Sequence, residues 1–208
     1  MIDGYWLTLV AVALAGVFGW TFTEYAMHNW RGHKGKGRND FSKEHLAHHA
    51  KSNYFTPARK KVMGAIQVSA VVLPLGWFVM DLAHGAVLTV SFVGSYAAYE
   101  LLHRRLHTHP PKGFYGRWAR KHHFFHHFSR PNHNHGVTSP IWDAVFGTLT
   151  PVDVVRVPVK QAMVWLVDPA TGEVFESLRG DYEIVRRGSR RSDKPQAPGA
   201  GRLEVARA

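Results

Sequence analysis

The sequence predicts an all-α integral membrane protein with about three transmembrane helices and a cytoplasmic helical cap rich in histidine. A short C-terminal segment resembling a β-hairpin and a disordered tail complete the predicted fold. Three runs without charged residues, at 4–23, 62–80 and 82–99, are 20, 19 and 18 residues long. A helix needs about 20 mostly apolar residues to cross the hydrocarbon core of a bilayer. The mean hydropathy of −0.20 averages these runs with polar, basic segments and so conceals the spans.

Composition limits the kinds of site that the chain can build. It has 208 residues and no Cys, and that length fits one domain. The absence of Cys excludes disulfides, thiolate metal sites and a cysteine nucleophile. The net charge of +11 is common among nucleic-acid-binding proteins, but basic residues that flank predicted spans favour anionic lipid headgroups as their counter-charge. We therefore expect a membrane protein with no nucleic-acid partner.

The positions of the charges predict the topology of the spans. Residues 24–61 carry nine Lys and Arg against three acids, and residues 100–150 carry seven against two. Because positive residues beside spans mark the cytoplasmic side, we expect both segments and the C-terminus in the cytoplasm. The N-terminus and the turn at Asp81 then lie outside. No Lys or Arg precedes the first run, which favours an uncleaved span over a signal peptide.

The remaining elements follow along the chain. The second and third runs are separated only by the turn at Asp81, so they predict a helical hairpin, and Pro74 predicts a kink. Residues 152–157 and 163–167 predict short strands, and residues 168–173 predict a hairpin turn that leads to Val174 and Phe175.

These elements divide the chain into three parts. Residues 1–150 form the predicted membrane domain, and residues 151–185 form a strand-like extension. Residues 186–208 are dominated by Arg, Ser, Pro and Gly, a composition too poor in apolar residues to join a core. We expect them to be a disordered basic tail.

Histidine is the most informative residue type in this sequence. There are 15 His, and all but His84 lie in the two segments expected in the cytoplasm. Ten of them form clusters, mostly at spacings of three and four, which place side chains on one helix face. Neutral imidazole binds Fe, Zn, Cu and Ni, and ten ligands suit two ions of about five each. The ten candidate ligands are His28, His33, His45, His48, His49, His103, His107, His123, His126 and His127.

The first pair of this set departs from helical spacing. His28 and His33 are five residues apart, so they cannot both point inward from a regular α-helix. Gly32 lets the chain turn between them. We therefore expect a turn at Gly32 that places His33 just past the end of the first span.

The ordered motifs resemble those of the fatty acid hydroxylase/sterol desaturase superfamily of membrane histidine-box di-metal oxygenases. The chain carries HX4H from His28, HX2HH from His45, HX3H from His103 and HX2HH from His123. Two flanking strings extend the resemblance over about residues 20–150: EYAMH, which ends at His28, and GVTSPIWDAVFGT at 136–148. The string HHFFHHF at 122–128 and the pair Trp142 and Asp143 look most similar to the fatty acid 2-hydroxylase branch.

This resemblance implies an O2-dependent hydroxylase of a lipid acyl chain. The ten His would hold two iron ions, with zinc able to replace iron on isolation, and no catalytic side chain is implied beyond the metal centre. Electrons would come from an external redox partner of the cytochrome b5 or ferredoxin type, and the substrate would be a membrane lipid. Carotenoid ring hydroxylases and sterol or lipid desaturases of the same superfamily remain alternatives, as does a non-catalytic membrane protein that binds metal.

Other polar residues near the motifs are candidates to hold the ligands in place. Metal-ligating His usually donate their second N–H to a carboxylate or a carbonyl. His135 stands where relatives more often have an aromatic residue, and the sequence assigns it no role. The candidates for this supporting role are Glu24, Glu44, Glu100, His109, His122, His133 and Asp143.

Overall fold

The computed structural model describes residues 2–186, which form a helical protein with a small two-stranded sheet near the C-terminal end. The predicted disordered tail lies outside the described residues, apart from Arg186. The elements follow in this order: α1 (Ile2–Ala26), a π-helix (Met27–His33), α2 (Asp40–Ala50), α3 (Ala58–Val79), α4 (Leu82–Thr108), α5 (Gly113–Phe128), α6 (Ile141–Val145), β1 (Val155–Pro158), two 3₁₀ turns (Val159–Gln161 and Glu176–Leu178) and β2 (Tyr182–Val185).

Three helices of the described chain are long and apolar enough to cross a membrane. They are Gly4–His33, Ala58–Val79 and Leu82–Thr108, as the uncharged runs predicted. Their apolar side chains face outward, and Phe78 is 89% exposed, which suits contact with lipid. The first and third helices continue beyond the uncharged runs, and these extra turns carry the two histidine pairs of the spans.

The hairpin of α3 and α4 is joined by a capped turn and a close helix contact. The Asp81 side chain accepts a hydrogen bond from the His84 amide at 2.8 Å and so caps α4. Gly76 and Gly85 face each other across the hairpin: a Cβ on Gly85 would lie 2.6 Å from the Trp77 amide nitrogen. Small residues at such a crossing let the backbones approach closely. Helix α4 also packs against α1, so it is the central helix of the three.

The C-terminal extension packs on α5. Strand β1 pairs in parallel with β2, with Val155 opposite Tyr182. Buried side chains from both strands and from the intervening loops surround Phe124 of α5. The buried members of this cluster are Phe124, Val155, Val157, Leu166, Val174, Leu178 and Tyr182. The extension therefore shares its core with a helix that carries four histidines.

The strand predicted at 163–167 is wrong in all but one residue. The Leu166 amide donates to the Met163 carbonyl at 2.9 Å, which closes a turn where an extended strand was expected. Only Val167 keeps strand pairing, through an antiparallel bridge to Val174 across the predicted turn at 168–173. Strand β1 pairs instead with β2, a strand that was not predicted from the sequence.

The contact between α3 and α4 gives a test of the hairpin. We expect Gly85→Ala to lower the free energy of unfolding by about 1–3 kcal/mol, because the new methyl group would overlap backbone atoms of α3. Gly94→Ala on the same helix is the matched control, because a Cβ there would have no atom of the described residues within 4 Å. Unfolding in detergent micelles would measure both variants, and equal stability of the two would contradict the close contact.

Candidate metal centre

The ten histidines come together in two groups of five at one end of the spans. Within each group, one ring nitrogen from every residue lies within 4.8 Å of those of the other four. The first group is His28, His33, His45, His49 and His126. The second group is His48, His103, His107, His123 and His127. The structure thus divides the ten candidates into five and five, as two ions would require.

The first pair reaches one face through a π-helix. The turn expected at Gly32 is wrong, because the helix continues without a break from Met27 to His33. In a π-helix each residue bonds to the fifth along the chain, so His28 and His33 lie on the same side, with their ring centroids 5.4 Å apart. Gly32 serves a close approach instead: a Cβ there would lie 3.0 Å from Cδ2 of His45.

Helices α2 and α5 each supply both groups. In an α-helix, residues four apart differ by about 40° and adjacent residues by about 100°. His45 and His49 accordingly share the first group, while His48 turns to the second. Helix α5 has the reverse arrangement, in which His123 and His127 join the second group and His126 joins the first. The repeated HX2HH motif therefore holds the two groups beside each other.

The distances within the groups fit metal ligands. Nε2 of His33 lies 2.9 Å from Nε2 of His45 and 2.9 Å from Nε2 of His126, and the His107 and His123 Nε2 atoms are also 2.9 Å apart. Two nitrogens bound at about 2.1 Å to one ion at a right angle would be about 3.0 Å apart. Nε2 of His48 and Nε2 of His103 are buried, and neither has a hydrogen-bond partner among residues 2–186. The donor set and its unpartnered atoms therefore fit bound cations.

Three backbone carbonyls orient the ligand rings. Nδ1 of His126 donates to the His133 carbonyl at 2.7 Å, and Nδ1 of His48 donates to the Tyr54 carbonyl at 2.7 Å. Nδ1 of His28 donates to the His135 carbonyl. A proton fixed on Nδ1 leaves the Nε2 lone pair free for a metal ion.

Burial keeps these imidazoles uncharged. It lowers the pKa of His48 to about 4, and burial with neighbouring imidazoles holds the pKa values of His123, His126 and His127 well below their ordinary value. A buried imidazolium would lose its hydration without an anionic partner. The neutral form that binds metal is therefore the form present at neutral pH.

Glu24 and Asp143 act on the loop that supplies two of these carbonyls. The Glu24 carboxylate accepts hydrogen bonds from the amides of Val137 and Thr138. Asp143 accepts from the amides of His135 and Gly136 at 2.8 Å each. Both carboxylates therefore fix the loop at 133–138, and the loop in turn orients the ligand rings.

Asp143 stays ionised in this buried position. Burial raises the pKa of Asp143, but hydrogen bonds from His122, Gly136, Thr148 and His135 together hold it below its usual value. Nε2 of His122 lies 3.2 Å from the carboxylate, so His122 supports Asp143 and belongs to neither group.

The side chains of the other predicted supporting residues make their hydrogen bonds to residues outside the two histidine groups. Glu44 accepts from the Tyr54 hydroxyl at 2.5 Å and from Lys60 at 2.6 Å, and Glu100 pairs with Lys61. His109 is exposed at the end of α4. His133 contributes its carbonyl, while its ring Nδ1 lies 2.9 Å from the Thr150 hydroxyl.

His135, to which the sequence assigned no role, lies against the first group of histidines. Its ring is 1% exposed, and its centroid is 5.1 Å from that of His126 and 5.4 Å from that of His28. Both ring nitrogens are buried and have no hydrogen-bond partner within the described part of the chain. The sign of this position in the sequence was a histidine where relatives more often have an aromatic residue.

A cavity of about 530 Å³ leads from the spans to the histidines. Its apolar wall includes Met63 and Val68 of α3 and Phe92 of α4, and residues of both histidine groups line its other end, including His28 and His103. This volume is in the usual range for small-molecule sites, about 300–1,000 Å³. An apolar chain lying between the helices would therefore meet the histidines.

Asp143 gives a test of how the loop supports the ligands. We expect Asp143→Asn to lower the free energy of unfolding by about 1–3 kcal/mol, because an amide NH2 would replace one acceptor among four donors in a buried site. Bound metal should fall with it, as the His135 carbonyl moves away from His28. Asp40→Asn is the matched control because its side chain is 86% exposed. Unfolding curves and elemental analysis would measure both effects, and an Asp143→Asn protein equal to the control in both would contradict this support.

The chain is similar to known proteins over the part that contains the histidine motifs. The model of the fatty acid hydroxylase family matches residues 13–148. Dihydroceramide fatty acyl 2-hydroxylase FAH2 of Arabidopsis thaliana is 28% identical over 139 residues, which cover 64% of this chain and 58% of that protein. Fatty acid 2-hydroxylase of Homo sapiens is 26% identical over 149 residues, which cover 66% of this chain and 39% of that protein.

A solved structure shows the same fold. It is described as full-length scs7p with only the hydroxylase domain visible, and it matches with a TM-score of 0.57 and 25% identity over 70% of this chain and 57% of that one. The chain thus spans little more than half the length of the first relative and less of the human one. The family match covers more than half of the chain and contains all ten grouped histidines. The chain therefore belongs to the fatty acid hydroxylase family.

Proposed function

We propose that this protein is a membrane-bound non-haem di-iron oxygenase that hydroxylates the acyl chain of a lipid. One observation carries the proposal: two groups of five neutral imidazoles lie at the end of an apolar cavity between membrane-spanning helices. The names of the relatives, which include dihydroceramide fatty acyl 2-hydroxylases, support an amide-linked acyl chain and attack at carbon 2. They favour acyl hydroxylation over carotenoid hydroxylation or desaturation.

The histidine groups would each hold one iron ion. Iron bound there would supply the activation of O2, with two electrons from outside, that an unactivated C–H bond requires. Imidazole-only sites also bind zinc well, so zinc is expected to replace iron in some preparations.

The side chains around the ions would position the substrate and exclude water. Met63, Val68 and Phe92 would hold the acyl chain in the apolar part of the cavity. The polar end of the lipid would lie near the ion pairs of Lys60 and Lys61, which also line the cavity. Attack near the polar end of the acyl chain agrees with this placement, because the histidines lie at the same end as the charged residues.

The charge distribution supports a membrane topology and the side from which an electron donor would approach. The segments with the histidines carry most of the positive charge, so we place them in the cytoplasm with the N-terminus outside. An electron donor of the cytochrome b5 or ferredoxin type would reach the metal centre from that side.

The reaction itself gives the first test. Cells that make the protein should accumulate lipids with 2-hydroxylated acyl chains, and growth under ¹⁸O2 should place one ¹⁸O atom in the new hydroxyl group. Mass spectrometry of hydrolysed lipids measures both. Two bound ions per chain without any new hydroxylated lipid would favour the metal-binding alternative over an oxygenase.

Metal content tests the two-ion interpretation. We expect elemental analysis of the purified chain to give two ions, because the ten imidazoles divide into two sets of five convergent donors. One ion or none in protein purified without chelators would contradict this interpretation.

Two histidines on the same helix provide a matched pair of variants. His103→Gln should remove one ion and abolish hydroxylation, since His103 belongs to the second group. His84 begins the same helix, about 28 Å away at 1.5 Å per residue, and there it contacts Asp81 and Thr8. His84→Gln should keep both ions and change product formation by less than about threefold. Loss of metal in both variants would show that His84 affects the centre.

A further inference from the structure

The end of α4 is held by side chains from outside that helix. The last four carbonyls of an α-helix have no partner within the helix, and His107 lies in this last turn. Arg120 of α5 donates from Nε to the Leu106 carbonyl at 2.8 Å. Its Nη2 donates to the carbonyls of Arg105 at 3.1 Å and His109 at 2.6 Å. A guanidinium at this position also matches the negative end of the helix dipole.

Trp165 of the C-terminal extension completes this cap. Its indole Nε1 donates to the His107 carbonyl at 2.8 Å. Its ring lies under the guanidinium of Arg120, with Cζ 4.7 Å from the ring centroid, a cation–π contact that suits a buried Arg. Trp165 therefore bonds to a candidate ligand residue and also holds the Arg that caps the same helix.

The extension is itself anchored to the other helices that carry ligands. Its core encloses Phe124, which lies directly beside His123 on α5. Lys121 of the same helix pairs with Asp181 at 3.1 Å. Ser52, just after α2, donates to Gln161 of the extension at 2.8 Å. The extension thus contacts α4, α5 and the residues just after α2.

We propose that residues 151–186 are a brace that positions the second histidine group, with Trp165 and Arg120 as its positioning residues. The proposal rests on the proposed function for the presence of an ion in each group. Helix α4 supplies His103 and His107 to the second group and no ligand to the first. A looser end of α4 would therefore weaken one ion site and leave the other. The brace lies beyond residue 148, where the family match ends.

The test compares the two sites one at a time in the full-length chain. His33→Gln leaves the second group complete, and His103→Gln leaves the first complete. Into each background we would introduce Trp165→Phe, which keeps a ring beside Arg120 but removes the indole donor. Val164→Ser is the matched control, since Val164 is the neighbouring residue and is 91% exposed. Each protein would be loaded with Zn²⁺, and its release to a chromophoric chelator would be followed.

The brace predicts a selective effect. Trp165→Phe should speed zinc release about tenfold in the His33→Gln background, the lower end of what outer contacts to metal sites contribute. Release in the His103→Gln background should not change, and Val164→Ser should have no effect in either. Equal acceleration in both backgrounds would indicate general destabilisation and overturn the proposal, as would no acceleration in either.

Hydrogen exchange separates failure of the brace from failure of the two-ion site, because it needs no metal. Trp165→Phe in the otherwise unchanged metal-free chain should speed amide exchange in the last turn of α4 and leave Met27–His33 unchanged. Unchanged exchange at the end of α4 would overturn the brace. Faster exchange there in a protein that binds no zinc would support the brace and refute the metal interpretation.

Discussion

The structure depends on ten buried or half-buried imidazoles whose ring nitrogens face one another. Two nitrogens 2.9 Å apart need a donor or a cation between them, and His33 Nε2 has two such neighbours. Protonating the rings is no solution, because burial and mutual repulsion oppose the charge. A bound cation in each group would satisfy the facing lone pairs together. The carbonyls and carboxylates around the groups hold the rings where such a cation would bind.

Most of the groups that orient the imidazole rings belong to the backbone. Carbonyls of Tyr54, His133 and His135 accept the Nδ1 protons of three candidate ligands. The carboxylates of Glu24 and Asp143 bind the amides of the same loop that supplies two of these carbonyls. The two carboxylates thus act on the candidate ligands through the backbone of this loop. A loop without regular secondary structure becomes a rigid part of the centre in this way.

Much of this was predictable from the sequence, and the failures have physical reasons. Uncharged length predicted the spans, because only long apolar helices are stable across the hydrocarbon core. Helical spacing selected eight of the ten histidines that come together. The acids predicted to bond to the ligand histidines do not contact them directly. Backbone carbonyls accept the imidazole N–H bonds instead, and the sequence does not show which carbonyl will do so, because every residue has one. The pairing of β1 with β2 was missed because pairing between distant short strands leaves no local pattern. The turn at 163–166 was missed because its apolar residues resemble a strand.

The π-helix shows that the number of residues between two ligands depends on the backbone that carries them. His103 and His107 lie on one face of an α-helix with three residues between them, and His28 and His33 do so on a π-helix with four. A residue inserted into an α-helix is often absorbed as a π-bulge, which leaves the helix on either side in register. The two spacings are therefore related by a length change of one codon, which can alter the motif in the gene while both imidazoles keep their places.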